Sequence, residues 1–258
     1  LITESTYGDR THPEIEALDQ SLAEVVNRTY ARGGKIVIPS FALERAQQIV
    51  YSLKKLRVAG RIPRLPVYVD SPLTVNITQV FRLHPECYDA EARKLLLGGD
   101  SPFEFVGLQY VSDREESIAI DRSRQPCIVI SASGMCEAGR VLHHLRVSIE
   151  NPNDTIVIVG FQAQHTLGRR LVERRPRVRI FGVERTLAAE VVVLNGFSAH
   201  ADQGDLLRYA EAVRERGPLR KVILVHGEPP AQEILRQRLE QRGFPSVLVP
   251  APFEICEV

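Results

Sequence analysis

"CIVISASGMCEAGRVLHHLRVSI", Cys127 to Ile149, sets the pattern of the chain. A short apolar run with no polar alternation ends at Ser131. A turn rich in Ser and Gly follows, and then apolar residues recur at helical spacing. An uninterrupted apolar run of this kind predicts a strand buried on both faces, and the segment behind it predicts a crossover helix. The unit recurs on either side. "KIVIPS" (Lys35–Ser40) carries a cap-like Ser and leads into "FALERAQQIVYSLKKL". "LPVYVDSP" (Leu65–Pro72) is stopped by Asp-Ser-Pro before a helix bearing Val75, Ile77 and Val80. "DTIVIVGF" (Asp154–Phe161) precedes "TLGRRLVER". Strands alternating with helices predict an α/β fold with a mainly parallel sheet flanked by helices. Right-handed crossovers then align the C-terminal strand ends on one edge, where sites of open α/β sheets form.

The texture changes after Pro176. "RVRIFGVE" and "AAEVVVLNGF" read as consecutive strands. A helix (Asp202–Glu215), a strand (Arg220–His226), a helix (Pro229–Arg242) and a last strand (Ser246–Pro250) follow. A boundary is expected near 180 to 190, with residues 1 to 8, another strand end, grouped with the C-terminal part.

The 258 residues allow one large or two medium domains. A hydrophobic share of 44% and a charged share of 25% are those of a globular protein. Cys87, Cys127, Cys136 and Cys256 form no CxxC pair, which favours reduced thiols of a cytosolic protein over a zinc or disulfide site. No apolar run reaches the ~18 residues of a membrane helix. The net charge of +1 leaves any nucleic-acid contact to a local basic groove. The chain opens "LITESTYGDR" without an initiator Met, and its one Met is at position 135, so it reads as a segment cut from a larger protein.

Two histidines stand out. His200, in "VVVLNGFSAHADQGDLL", and His226, in "KVILVHGE", each follow an apolar strand. Strand ends are rigid platforms for functional side chains, although each His alone also reads as a structural residue, and Asp202 reads as a helix N-cap. No HxH, HxxxH or HxHxD spacing occurs. His12 and His84 adjoin prolines, and His143 and His144 point about 100° apart on a helix. A two-metal site needs about six or seven protein ligands, more than these histidines provide. Glu4 could accept a bond from an imidazole N–H, or serve as a capping or surface residue. "SASGMCEAGR" (Ser131–Arg140) opens a helix and reads as an anion cradle or as a tight strand-to-helix turn, and the absence of GK[ST] excludes a nucleotide P-loop. Arg169, Arg170, Arg174, Arg175, Arg177 and Arg179 form either a solvated face or part of a phosphate track. With 6% aromatics and no Trp, extensive base stacking is not indicated.

In this order, "ESTYGDR", "PSFALERAQQI", "VDSPL", "SASGMCEAGR", "FSAHAD" and "LVHGE" resemble the β-CASP ribonucleases of the metallo-β-lactamase superfamily. The resemblance implies a β-CASP cassette inserted into a metallo-β-lactamase αββα sandwich. It divides the chain into residues 1–8 (end of the N-terminal half), 9–185 (β-CASP) and 186–258 (C-terminal metallo-β-lactamase part). It implies a zinc-dependent ribonuclease hydrolysing phosphodiesters of single-stranded RNA in cytoplasmic RNA processing or decay. Two zinc ions are implied in the full-length parent, held largely by an HxHxDH half that precedes Leu1, so this segment would be inactive alone and unable to retain them. By motif, Glu4 matches the acidic residue that orients His200, His200 the imidazole that stabilises charge or protonates the leaving oxygen, and His226 a metal ligand. Ser133, Gly134 and Arg140, with Ser71 beside Asp70, are the expected RNA phosphate contacts. His165 replaces a Gly common in relatives, and the C-terminus shows no sign of the extra dimerisation domain of the RNase J group. The oligomeric state stays open, a homodimer included. The competing reading is a non-catalytic RNA-processing scaffold or RNA-binding paralogue. An α/β hydrolase is disfavoured by the lack of a GxSxG elbow.

Overall fold

The computed structural model describes residues 1–256. In chain order the elements are β1 (Ile2–Glu4), α1 (Ile15–Ala31), β2 (Ile36–Pro39), α2 (Arg45–Val58), β3 (Val67–Asp70), α3 (Pro72–Leu83), α4 (Ala90–Leu97), β4 (Leu108–Val111), α5 (Arg114–Arg122) and β5 (Ile128–Ser131). There follow α6 (Val141–Ser148), β6 (Thr155–Ile158), α7 (Leu167–Val172), β7 (Arg177–Ile180), β8 (Val183–Thr186), β9 (Glu190–Val193), α8 (Gln203–Glu215), β10 (Val222–Val225), α9 (Pro229–Gln241) and β11 (Val247–Leu248). Two compact units result: residues 14–197, and residues 1–13 together with 198–258.

The larger unit is built on a six-stranded sheet in the order β4-β3-β5-β2-β6-β9, every neighbour parallel. Its apolar runs are two faces interleaved, because successive side chains of a strand point to opposite sides. Ile36, Ile38, Ile128, Ile130, Val67 and Val69 face one way and pack with α1 and α2 residues such as Leu22, Ile49 and Leu53. Val37, Ile156 and Ile158 face the other and pack with Leu145 of α6 and Leu171 of α7. Val129 lies beneath Ile120 of α5. Burial on both faces is why these strands carry no polar alternation.

Capping explains several helix starts. Ser71 accepts the Thr74 N–H with Pro72 at the first turn of α3, Asp113 caps α5 and Thr166 caps α7. Two expected starts move. Helix α2 begins at Arg45, and Ser40 caps nothing. Helix α6 begins at Val141, so "SASGMCEAGR" is an irregular loop that precedes the helix. In that loop Ser133 N–H donates to Ala138 O, Cys136 N–H to Ser133 O, and Glu137 and Ala138 N–H to Ser133 Oγ. Gly139 has φ +85°, and a Cβ there would lie 2.3 Å from Ala132 O. "RVRIFGVE" forms the antiparallel hairpin β7–β8.

Strand β9 pairs with β6 from Thr155↔Glu190 to Ile158↔Val193. This pairing carries residues 186–197 into the larger compact unit, which ends at 197. The smaller unit has a parallel sheet, β1-β10-β11, with β10 central. Leu206 and Leu207 of α8, Leu235 and Leu239 of α9, and Val222 and Leu224 of β10 form its core. Asp202 and Asp205 form a capping box that starts α8. No helix among the described residues is long and apolar enough to cross a membrane.

Candidate metal and acid–base site

Strands β1 and β10 run in register from Ile2↔Ile223 to Glu4↔Val225, so they end together. Glu4 closes the first, and His226 follows the second with φ +50°. Their close approach needs a bare backbone. A Cβ on Gly227 would lie 2.4 Å from Ser5 Oγ and 2.7 Å from Ser5 O. Ser5 Oγ–H in turn donates to Val225 O at 2.7 Å. His200 arrives from the loop that leads into α8, positioned because Asp202 Oδ2 accepts the His12 N–H at 2.7 Å while Oδ1 caps the helix.

Glu4, His200 and His226 thereby each present a ligand atom within 4.8 Å of one another. His200 Nδ1 lies 2.5 Å from Glu4 Oε2, and the Ala201 N–H donates to Oε1 at 3.2 Å. An ionised carboxylate only accepts, so His200 carries its proton on Nδ1 and turns its Nε2 outward. The two imidazoles stack with centroids 5.0 Å apart and planes at 30°. Glu4 and His200 side chains keep 28% and 36% of their surface exposed, so the site is open to a large substrate.

Thr6, which the sequence reading passed over, sits at the centre. Its Oγ1 is 2.7 Å from Glu4 Oε2, 3.0 Å from His226 O, 3.1 Å from His226 Nδ1 and 3.3 Å from His200 Nδ1. A hydroxyl has one proton and two lone pairs. With that proton given to Glu4 or to His226 O, Thr6 meets His226 Nδ1 as an acceptor. His226 then also carries its proton on Nδ1, leaving Nε2 as a free lone pair able to hold a metal. Thr6 lies in the turn just after β1, and no spacing rule in the sequence marks it. His12 was missed as well. Its Nε2–H donates to the His200 carbonyl at 3.1 Å, and its ring stands edge-on to Tyr7 at 4.7 Å.

Imidazole nitrogen and carboxylate oxygen are zinc donors. Here Glu4 and His200 bond each other, and His226 Nε2 has no partner among the described residues. The donors fit a contribution to a zinc site and number fewer than the about six or seven of a dinuclear one.

The four expected phosphate contacts belong to the larger unit, where each has an internal partner. Arg140 donates to Asp70 Oδ1 at 2.7 Å and to the carbonyls of Ser112 (2.6 Å), Asp113 (3.2 Å) and Val111 (3.5 Å). Ser71 is spent as a cap. Gly134 packs beneath Phe41, whose ring would lie 2.8 Å from a Cβ there, and its carbonyl accepts from Gln162. Ser133 Oγ accepts two amides and keeps its own proton. The arginines after His165 are partly committed too: Arg169 and Arg175 pair with Glu173, Arg177 pairs with Glu184, and Arg170 donates to His165 O.

Asp70 is the hub of a buried network. His144 Nε2 lies 2.7 Å from Asp70 Oδ2 and Nδ1 lies 2.6 Å from Asp121 Oδ1, while Ser117 Oγ–H donates to Asp70 Oδ2 at 2.5 Å. Burial alone would lower the His144 pKa, but bonds to Asp121 and Asp70 override it and raise it. Burial alone would raise Asp70, and hydrogen bonds from His144, Ser117 and Arg140 hold it low instead. His143, its neighbour in sequence, lies against the Phe181 ring at 4.7 Å.

Comparison with known families gives two matches. Residues 46–171 match the Beta-Casp domain model, and residues 185–250 match the model of a Zn-dependent metallo-hydrolase RNA specificity domain. The chain is similar to ribonuclease TTHA0252 of Thermus thermophilus, with 37% identity over 243 residues, 94% of this chain and 54% of the relative. It is similar to transcription termination factor FttA of Methanosarcina mazei, with 32% identity covering 90% of this chain and 37% of that protein. An RNase J-like protein of Methanocaldococcus jannaschii is 31% identical, covering 88% of this chain and 52% of its own length. The chain thus spans about half or less of the length of these relatives.

Proposed function

We propose that this chain, which belongs to the β-CASP family of the metallo-β-lactamase superfamily, supplies part of the centre of a zinc-dependent ribonuclease that hydrolyses phosphodiesters of single-stranded RNA. The observation that carries this reading is the convergence of Glu4, His200 and His226 on one point. Zinc, when bound, supplies Lewis-acid polarisation of the phosphodiester and makes water a better nucleophile. His226 would hold it through Nε2. Glu4 accepts the His200 Nδ1–H, and when Nε2 also carries a proton the imidazolium can stabilise developing charge or hand that proton to the leaving oxygen.

Residues 9–185 correspond, in this reading, to the β-CASP cassette, and residues 1–8 with 186–258 to part of the metallo-β-lactamase body, in keeping with matches over 46–171 and 185–250. Ser133 remains the candidate phosphate contact, through its hydroxyl proton. Arg140, Ser71 and Gly134 act as supports of their loops. Two zinc ions need more donors than this triad, so the chain on its own binds zinc weakly and cleaves RNA poorly. The four free thiols suit a reducing, cytoplasmic location.

The test is a zinc titration with an RNA-cleavage assay, on this chain and on a longer protein that includes the upstream HxHxDH motif. Weak zinc binding here, with tight binding of two ions and cleavage in the longer protein, is expected. A longer protein that binds RNA but neither zinc nor cuts would instead support the scaffold reading.

A further inference from the structure

A second cavity lies in the larger unit, at the edge of the sheet where strands begin. It has a volume of about 700 Å³ and opens beside the residues that precede β3, β4 and β5. Sites of α/β sheets ordinarily form at the opposite, C-terminal edge, so no sequence pattern points to this place. It shares no residue with Glu4, His200 and His226, and its reading is independent of theirs.

Its charges do not balance. Of the carboxylates on its wall, Asp100 holds Lys54 Nζ at 2.5 Å, and Glu104 pairs with Arg82 at 3.0 Å. Arg57 and Arg64 remain, and neither has a carboxylate partner among the described residues. Arg57 is half-buried. Its Nη2–H donates to Leu65 O at 2.5 Å, its guanidinium lies over the Phe105 ring at 6.0 Å, and its buried Nε–H has no partner. Burial and the charge of Arg64 both push the Arg57 pKa down. A cation taken partly out of water, beside a like charge and with a donor unused, is destabilising unless an anion answers it.

We propose that this cavity binds a small phosphate ester with a flat organic body, of the nucleoside monophosphate class. Paired guanidinium groups fit phosphate oxygens through parallel N–H donors. Val58, Leu65, Pro66 and Phe105 add apolar surface to the lining, which suits a ring. Gln109 and Gln125 at the rim offer amides that can donate to and accept from the ring's polar edge. The volume lies within the range of small-molecule sites.

Calorimetric titration of the chain with adenosine monophosphate, inorganic phosphate and adenosine tests this. The monophosphate should bind, phosphate more weakly, and adenosine not detectably. Arg64→Gln should weaken the monophosphate about tenfold, the loss expected for one charge-assisted contact. Arg64 is exposed and makes no internal bond among the described residues, so this variant should fold normally. Arg57→Gln should weaken binding at least as much, with folding checked by circular dichroism. If Arg57→Gln fails to fold, Arg64→Gln decides. His226→Ala separates this cavity from the triad and should leave binding unchanged. No binding of the monophosphate at millimolar concentration would overturn the proposal. So would binding lost with His226→Ala but not with Arg64→Gln, or equal affinity for phosphate and the monophosphate.

Discussion

Thr6 has one proton to give and four polar atoms around it, and this imbalance decides the tautomer of the His226 imidazole. Thr6→Val keeps the shape and removes the hydroxyl. We expect zinc affinity of the longer protein to fall about 10- to 100-fold, the usual loss when a ligand's supporting partner is removed. We also expect nitrogen-15 spectra of the His226 ring to show a mixture of tautomers, and Thr6→Ser to restore both. A single Nδ1–H tautomer in the valine variant would refute the role. Gly227→Ala should cost about 1–3 kcal/mol in denaturant titration, because its Cβ would strike Ser5. At this scale the sequence was partly legible. Glu4, His200 and His226 could be read because strand ends and neighbouring residues disclosed them. His12 could not, since its partner is a backbone carbonyl brought in from residue 200. The partner of Arg140 inside the fold was not legible, because Asp70 lies 70 residues earlier in the sequence.

Among elements, the buried bridge from α6 to β3 and α5 joins two groups shifted in opposite directions. His144 has a raised pKa in the folded chain. Its contribution is therefore fully present below the unfolded value of about 6.5 and is lost as pH rises through the folded one. Asp70, whose folded pKa is lowered, contributes above the unfolded value of about 3.9 and loses that contribution as pH falls through the folded one. Stability measured by urea titration should thus crest between these limits. His144→Ala should remove about 3–5 kcal/mol, by leaving Asp70 and Asp121 without the imidazolium, and should flatten the alkaline fall. An unchanged alkaline slope in that variant would show that the bridge does not set it. The strands of this sheet were legible because burial on both faces leaves a plain apolar signature. The starts of α2 and α6 were not, because irregular loops held by Gly and by internal amide bonds intervene. The compact unit runs past the boundary expected near 185 because β9 pairs with β6, a pairing no local pattern announces.

For the whole molecule, the smaller unit draws its sheet from distant parts of the chain. Removing residues 1–13 would strip β10 of β1 on one side. Hydrogen exchange at Val222–Val225 should then accelerate from protected to nearly free rates, and retained protection would show that β10 and β11 hold without β1. The same topology bears on synthesis. Translation produces Glu4 and Thr6 well before His226, which stands 220 positions after Thr6. A nascent polypeptide holds the acid and hydroxyl of the site long before it holds the second imidazole. Every product of premature termination ahead of position 226 lacks that imidazole, so the three side chains converge only in copies whose synthesis has passed β10.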